Sequence, residues 1–224
     1  MSDKKPGAGI HHLIVLGAVW GLAEAGLGLG LKKCASIASG SIMTAAALLF
    51  VAAVWAATRR IVSLALTVAL VTIIKLFDAY LLGLPIRHGA VANPIFAFWT
   101  EALAFLLIIA VLKEAVAKKW TGRAVGGALA ALVAVNLFPL VKYATGIPAC
   151  VVAGTGYPLS LYYAPFAVGL SLITMPLGFR VGEWITAAEA RQGAFVRSKA
   201  YRYLVTPAVA ALCLLIIVVI RLIG

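Results

Sequence analysis

Four ionisable side chains interrupt otherwise apolar runs in this chain: Glu24, Lys75, Asp78 and Glu101. A charge held away from water is costly unless it is paired, so residues of this kind mark either a buried ion pair or a site for a polar ligand. Lys75 and Asp78 are three residues apart, share one helical face and can pair. At 1.5 Å per residue, Glu101 falls about 12 Å, Lys75 about 13 Å, Asp78 about 9 Å and Glu24 about 10 Å from the same end of their helices. The matching depths predict one polar cavity, to which Asn136 and Lys142 would add groups. Two readings stay open: a cluster that binds a polar solute, and a structural pair that fixes helix register.

Two segments read as the cavity mouth. In LGLPIRHGAVANPIFAFWTE, Pro85, Gly89 and Pro94 break the backbone while Arg87, His88 and Asn93 supply polar groups. Asn93-Pro94 reads equally well as an ordinary helix start, with Asn as the cap and Pro in first position. Phe96 and Trp99 either line the cavity or face lipid. In GIPACVVAGTGYPLSLYY, Tyr157, Tyr162 and Tyr163 either close over a solute or anchor the chain at the membrane boundary. The expected binding set is therefore Glu24, Lys75, Asp78, Arg87, Asn93, Trp99 and Glu101.

The elements that must position these residues are transmembrane helices. Of 224 residues, 64% are hydrophobic and 12% charged, far from the mixture of a soluble domain. Runs long enough to cross a bilayer occur at 10–31, 38–58, 61–83, 92–112, 124–145, 159–178 and 204–223. The expected fold class is all-α, a polytopic transmembrane helical bundle of six or seven spans and a single membrane domain over 1–224. The sixth run is the least regular.

Most Lys and Arg residues lie between the apolar runs, so the net charge of +12 points to anionic lipid headgroups and not to nucleic acid. One side collects Lys4, Lys5, Arg59, Arg60, Lys113, Lys118, Lys119, Arg123, Arg191, Arg197, Lys199 and Arg202. The other collects Lys32, Lys33, Arg87, Lys142 and Arg221. The bias predicts a cytoplasmic N-terminus in a multi-pass protein of the plasma membrane. The basic, aromatic segment 179–203 reads as lying at the inner membrane surface. Gly17, Gly21 and Ala25 form a small-residue face suited to close helix packing, within the chain or with another subunit.

Catalytic and metal signatures are weak. Cys34 and Cys150 fall in loops expected on the outer side, where a disulfide between them is an open possibility, and Cys213 reads as packing. Adjacent His11 and His12 point about 100° apart on a helix and would not chelate one ion from a single face. A cysteine enzyme built on Cys150 would have only His88 as a base on its side. No cofactor or metal is expected, and no Gly-Lys phosphate loop makes the chain an ATPase.

The segments GAVWGLAEAGLG at 17–28 and NPIFAFWTEALAF at 93–105, in a small basic bundle with an outward polar pocket, resemble the substrate-binding S components of energy-coupling factor transporters. The resemblance implies capture of a vitamin, vitamin precursor or metal ion from outside, with a membrane scaffold subunit and two ATPases driving release inward. It implies that Gly17, Gly21 and Ala25 touch the scaffold and that Glu24, Lys75, Asp78, Asn93 and Glu101 surround the solute. Mixed acidic and basic groups suit a small zwitterionic or heterocyclic molecule. That family has six spans. The alternative is a non-catalytic membrane anchor or accessory subunit of a larger complex.

Overall fold

A backbone embedded in lipid must satisfy its own hydrogen bonds, which leaves an apolar run of about 20 residues little choice but the helix. In the computed structural model, which describes residues 10–28, 37–113, 116, 119–152, 154–191 and 204–223, every one of the expected runs is helical. The spans are α1 (Ile10–Leu27), α2 (Ile37–Thr58), α3 (Ile61–Leu81) and α4 (Gly89–Leu112). A fifth span begins as α5 (Trp120–Leu137), tightens into a 3-10 turn at Phe138–Leu140 and finishes as α6 (Val141–Thr145); α7 (Leu159–Arg191) and α8 (Thr206–Ile223) complete the bundle. Among the described residues, seven helices are thus long and apolar enough to cross a membrane. The chain is a polytopic helical membrane protein, with no strand among the described residues beyond one isolated bridge between Val151 and Pro158.

The tightening of the fifth span has a local cause: Pro139 lacks the N–H that the next helical turn needs. In α4 the start comes earlier than Asn93-Pro94. His88 is the cap, its Nδ1 accepting from the Ala90 N–H at 3.2 Å, and Pro94 is tolerated inside the helix near its start. The expected surface segment at 179–203 begins differently as well. Residues 179–191 continue α7 without a break, whereas 192–203 lie outside the described residues, as does Cys34.

Small residues account for that continuity. A Cβ on Gly178 would collide with the Leu49 carbonyl oxygen and one on Gly182 with that of Ala53, so α7 lies directly on the α2 backbone. Gly127 brings α5 equally close to α7 at Ser171. The expected docking face is also consumed internally. Gly17 and Gly21 face α3, where a Cβ would sit 2.8 Å from Leu70 Cδ2 and 2.7 Å from Ile74 Cγ2 respectively, and Ala25 is buried. The close approach predicted for that face is real, but its partner is α3.

Between these seams lies an aromatic core. Trp20 stacks on Phe50 with centroids 5.9 Å apart and meets the edge of Phe98 at 5.5 Å. Phe105 packs against Trp55 and Phe179. Towards the end that holds the α2–α3 turn, Arg123 is clamped: it pairs with Glu183 through two hydrogen bonds, donates from Nε to the Val116 carbonyl at 3.2 Å, and lies 4.7 Å over the Phe179 ring.

Candidate functional site

At the opposite end, where α1, α3 and α8 finish and α4 and α7 begin, the helices enclose a cavity of about 710 Å³. That is within the size range of small-molecule sites. Of the residues expected in the site, Lys75, Asp78, Asn93 and Glu101 line it, together with His88 from the α3–α4 loop. Glu24 lies behind them, within electrostatic reach of Lys75 and Asp78 but off the wall. All four intramembrane charges are enclosed: Glu24 is 4% exposed, Lys75 8%, Asp78 2% and Glu101 4%.

Arg221 is the residue that sequence reasoning missed. Assigned there to the outer boundary, it turns inward from the last turn of α8. Its Nε donates to Asp78 Oδ1 at 2.6 Å and its Nη2 to Oδ2 at 3.0 Å, and Nη2 also reaches the Ala25 carbonyl at 3.1 Å. Lys75 Nζ contacts the same carboxylate at 3.5 Å. Arg221 alone thus joins Asp78 of α3 to α8 and α1, while Lys75 pairs with Asp78 within α3, and planar guanidinium-to-carboxylate pairing gives the join a defined geometry.

On the far wall, Thr44, Glu101 and Tyr163 lie together. The apolar remainder includes Met43, Leu84, Val91, Phe138 and Leu159. Two polar atoms on this surface are enclosed yet have no hydrogen-bond partner among the described residues: Asn93 Oδ1 and Ser160 Oγ. Buried polar atoms rarely go unsatisfied. Both residues border the cavity, although neither atom is exposed to it.

Several expected residues lie elsewhere. Arg87 is exposed, and Trp99 is 45% exposed on the outer side of α4. Asn136 is exposed and hydrogen-bonds back to Leu132 within its own helix, and Lys142 is exposed. Phe96 packs on the edge of Phe138, with centroids 6.3 Å apart, and does not line the cavity. Of the three tyrosines only Tyr163 reaches the wall. Cys150, also on the wall, is disulfide-bonded, which removes the thiol that a cysteine enzyme would need.

No family model, curated protein or solved structure matches the chain. The seven membrane-length helices among the described residues are one more than the six spans that a resemblance to the energy-coupling factor S components would imply.

Proposed function

We propose that the chain captures a small polar solute in the cavity and serves uptake across the plasma membrane. The observation that carries this reading is a 710 Å³ chamber inside a membrane bundle whose wall combines a charged network, Lys75–Asp78–Arg221, with unsatisfied Asn93 and Ser160. A purely structural ion pair needs no chamber beside it. Both charge signs together with Phe138 and Tyr163 suit a compact zwitterion or polar heterocycle better than a long lipid chain. The distribution of Lys and Arg turns the cavity mouth outward.

The seven-helix chain has no nucleotide-binding loop, so energised uptake would draw on a separate membrane scaffold and its ATPases. Such a scaffold would have to meet a surface other than Gly17 and Gly21, which α3 covers, and Ala25, which is buried with Ile74 of α3 and Ile217 of α8.

Native mass spectrometry of the tag-free protein, purified in mild detergent from its own host, tests the reading. A retained polar metabolite is expected from the wild type. It should be lost from Asn93→Leu and Ser160→Val, while both variants elute as monodisperse protein. Retention by both variants, or a wild type that carries only lipid and large membrane subunits, would overturn it in favour of an accessory anchor.

A further inference from the structure

The geometry points to a transition-metal site of the zinc class formed by His11 and His12 at the start of α1 and Glu189 near the end of α7. One ligand atom from each, two imidazole nitrogens and a carboxylate oxygen, lie within 4.8 Å of one another. The imidazole centroids are 4.1 Å apart with the rings inclined at 52°. His11 is 4% exposed and His12 8%. The His12 Nε2 atom stands 3.5 Å from Glu189 Oε2, enclosed and without a hydrogen bond among the described residues.

Two imidazoles and one carboxylate are the donor set of many three-ligand zinc sites, and Co²⁺ and Ni²⁺ accept it too. Donor atoms on a tetrahedral ion sit about 3.3 Å apart, so the trio has to close by about 1.5 Å. Ordinary side-chain torsions of Glu189 and the two imidazoles span that distance. Glu189 is the most accessible of the three, its side chain 18% exposed. Adjacent histidines on one helix diverge, which is why the pair looks incapable of chelation in sequence. The third donor comes from another helix and lies where the two rings meet.

None of the three lines the solute cavity, which is at the other end of the bundle. The ion is therefore not the cavity's cargo. It ties the first span to the long α7, and the site stands or falls independently of the solute reading.

The test uses the tag-free full chain in detergent, stripped with chelator and titrated with Co²⁺. One Co²⁺ per chain should bind, with the visible absorption of a low-coordinate ion, and Zn²⁺ should displace it. Glu189→Gln and His12→Ala should each weaken Co²⁺ binding by at least about tenfold, since even outer-shell changes at such sites cost that much. Glu183→Gln, one turn and a half earlier on α7, should leave it intact. Zn²⁺ should also raise the unfolding temperature of the wild type and not of Glu189→Gln. Should His12→Ala lose its fold, the partly exposed Glu189 position decides alone. Absence of Co²⁺ binding, or equal binding by wild type and Glu189→Gln, overturns the site and leaves a histidine–carboxylate contact only.

Discussion

Arg221, in the last turn of α8, holds both carboxylate oxygens of Asp78, near the end of α3, at 2.6 and 3.0 Å. Their side chains are 8% and 2% exposed, so neither charge can be released to water cheaply. Removing one partner of such a pair costs about 3–5 kcal/mol, mostly from the charge left behind. Asp78→Asn and Arg221→Met should each lose that much in denaturant titrations. The double variant Asp78→Asn/Arg221→Met should be less destabilised than the sum, by at least about 1 kcal/mol. Strict additivity would show that the two do not interact.

The seam between α2 and α7 is backbone against backbone. Gly178→Ala and Gly182→Ala place a methyl group into the Leu49 and Ala53 carbonyls, and overpacking of this kind costs about 1–3 kcal/mol. Gly26→Ala, where a Cβ meets nothing within 4 Å, serves as the comparison and should be neutral or slightly stabilising. Melting temperatures that fall equally in all three would contradict the seam.

The α1–α3 contact makes a different forecast because the obstructing atoms belong to flexible side chains. Gly21→Ala should cost about 1–2 kcal/mol against Ile74. Combined with Ile74→Ala, which removes the opposing branch, it should show a favourable coupling in a double-mutant cycle. An uncoupled result would mean that the small face looks outward, to another subunit.

Arg123 and Glu183 should be unequal partners. Glu183 has a side chain 42% exposed, so Glu183→Ala should cost about 1 kcal/mol or less. Arg123→Ala additionally frees the Val116 carbonyl and uncovers the Phe179 ring, and should cost about 2–4 kcal/mol from the lost charge-assisted bond and cation–π contact. Comparison of the two by unfolding in detergent reads the difference, and Arg123→Lys should not rescue it, because an ammonium cannot fork.

The depth of Lys75, Asp78 and Glu101 was legible because helix rise is constant: counting residues from the end of a run places a side chain along the membrane normal. Direction around the helix is legible in the same way, from the 100° turn per residue. Trp99 lies two residues before Glu101, about 200° around the helix, and so cannot share its wall, whereas Asn93, eight residues before it, is offset by only about 80° and still borders the same cavity. Arg221 was hidden for another reason. A basic residue near the end of an apolar run ordinarily reports topology, and nothing local distinguishes one that turns inward to an acid on α3. Glu189 and the histidine pair were concealed likewise, since their meeting depends on which helices become neighbours. The internal use of Gly17 and Gly21 shows the same limit: small-residue spacing announces a close contact and does not name the partner.

Asp78 and Arg221 are separated by 143 positions along the chain. At about 5–20 residues per second of synthesis, the acid enters the bilayer on the order of ten seconds before its guanidinium exists. Lys75, three residues away on the same helix, is the only one of its two cations available during that wait. The secondary contact of the finished protein is thus the first contact of the nascent one: it lets α3 be inserted with its charge already compensated, and the closing of the chamber becomes an event timed by the arrival of the final helix.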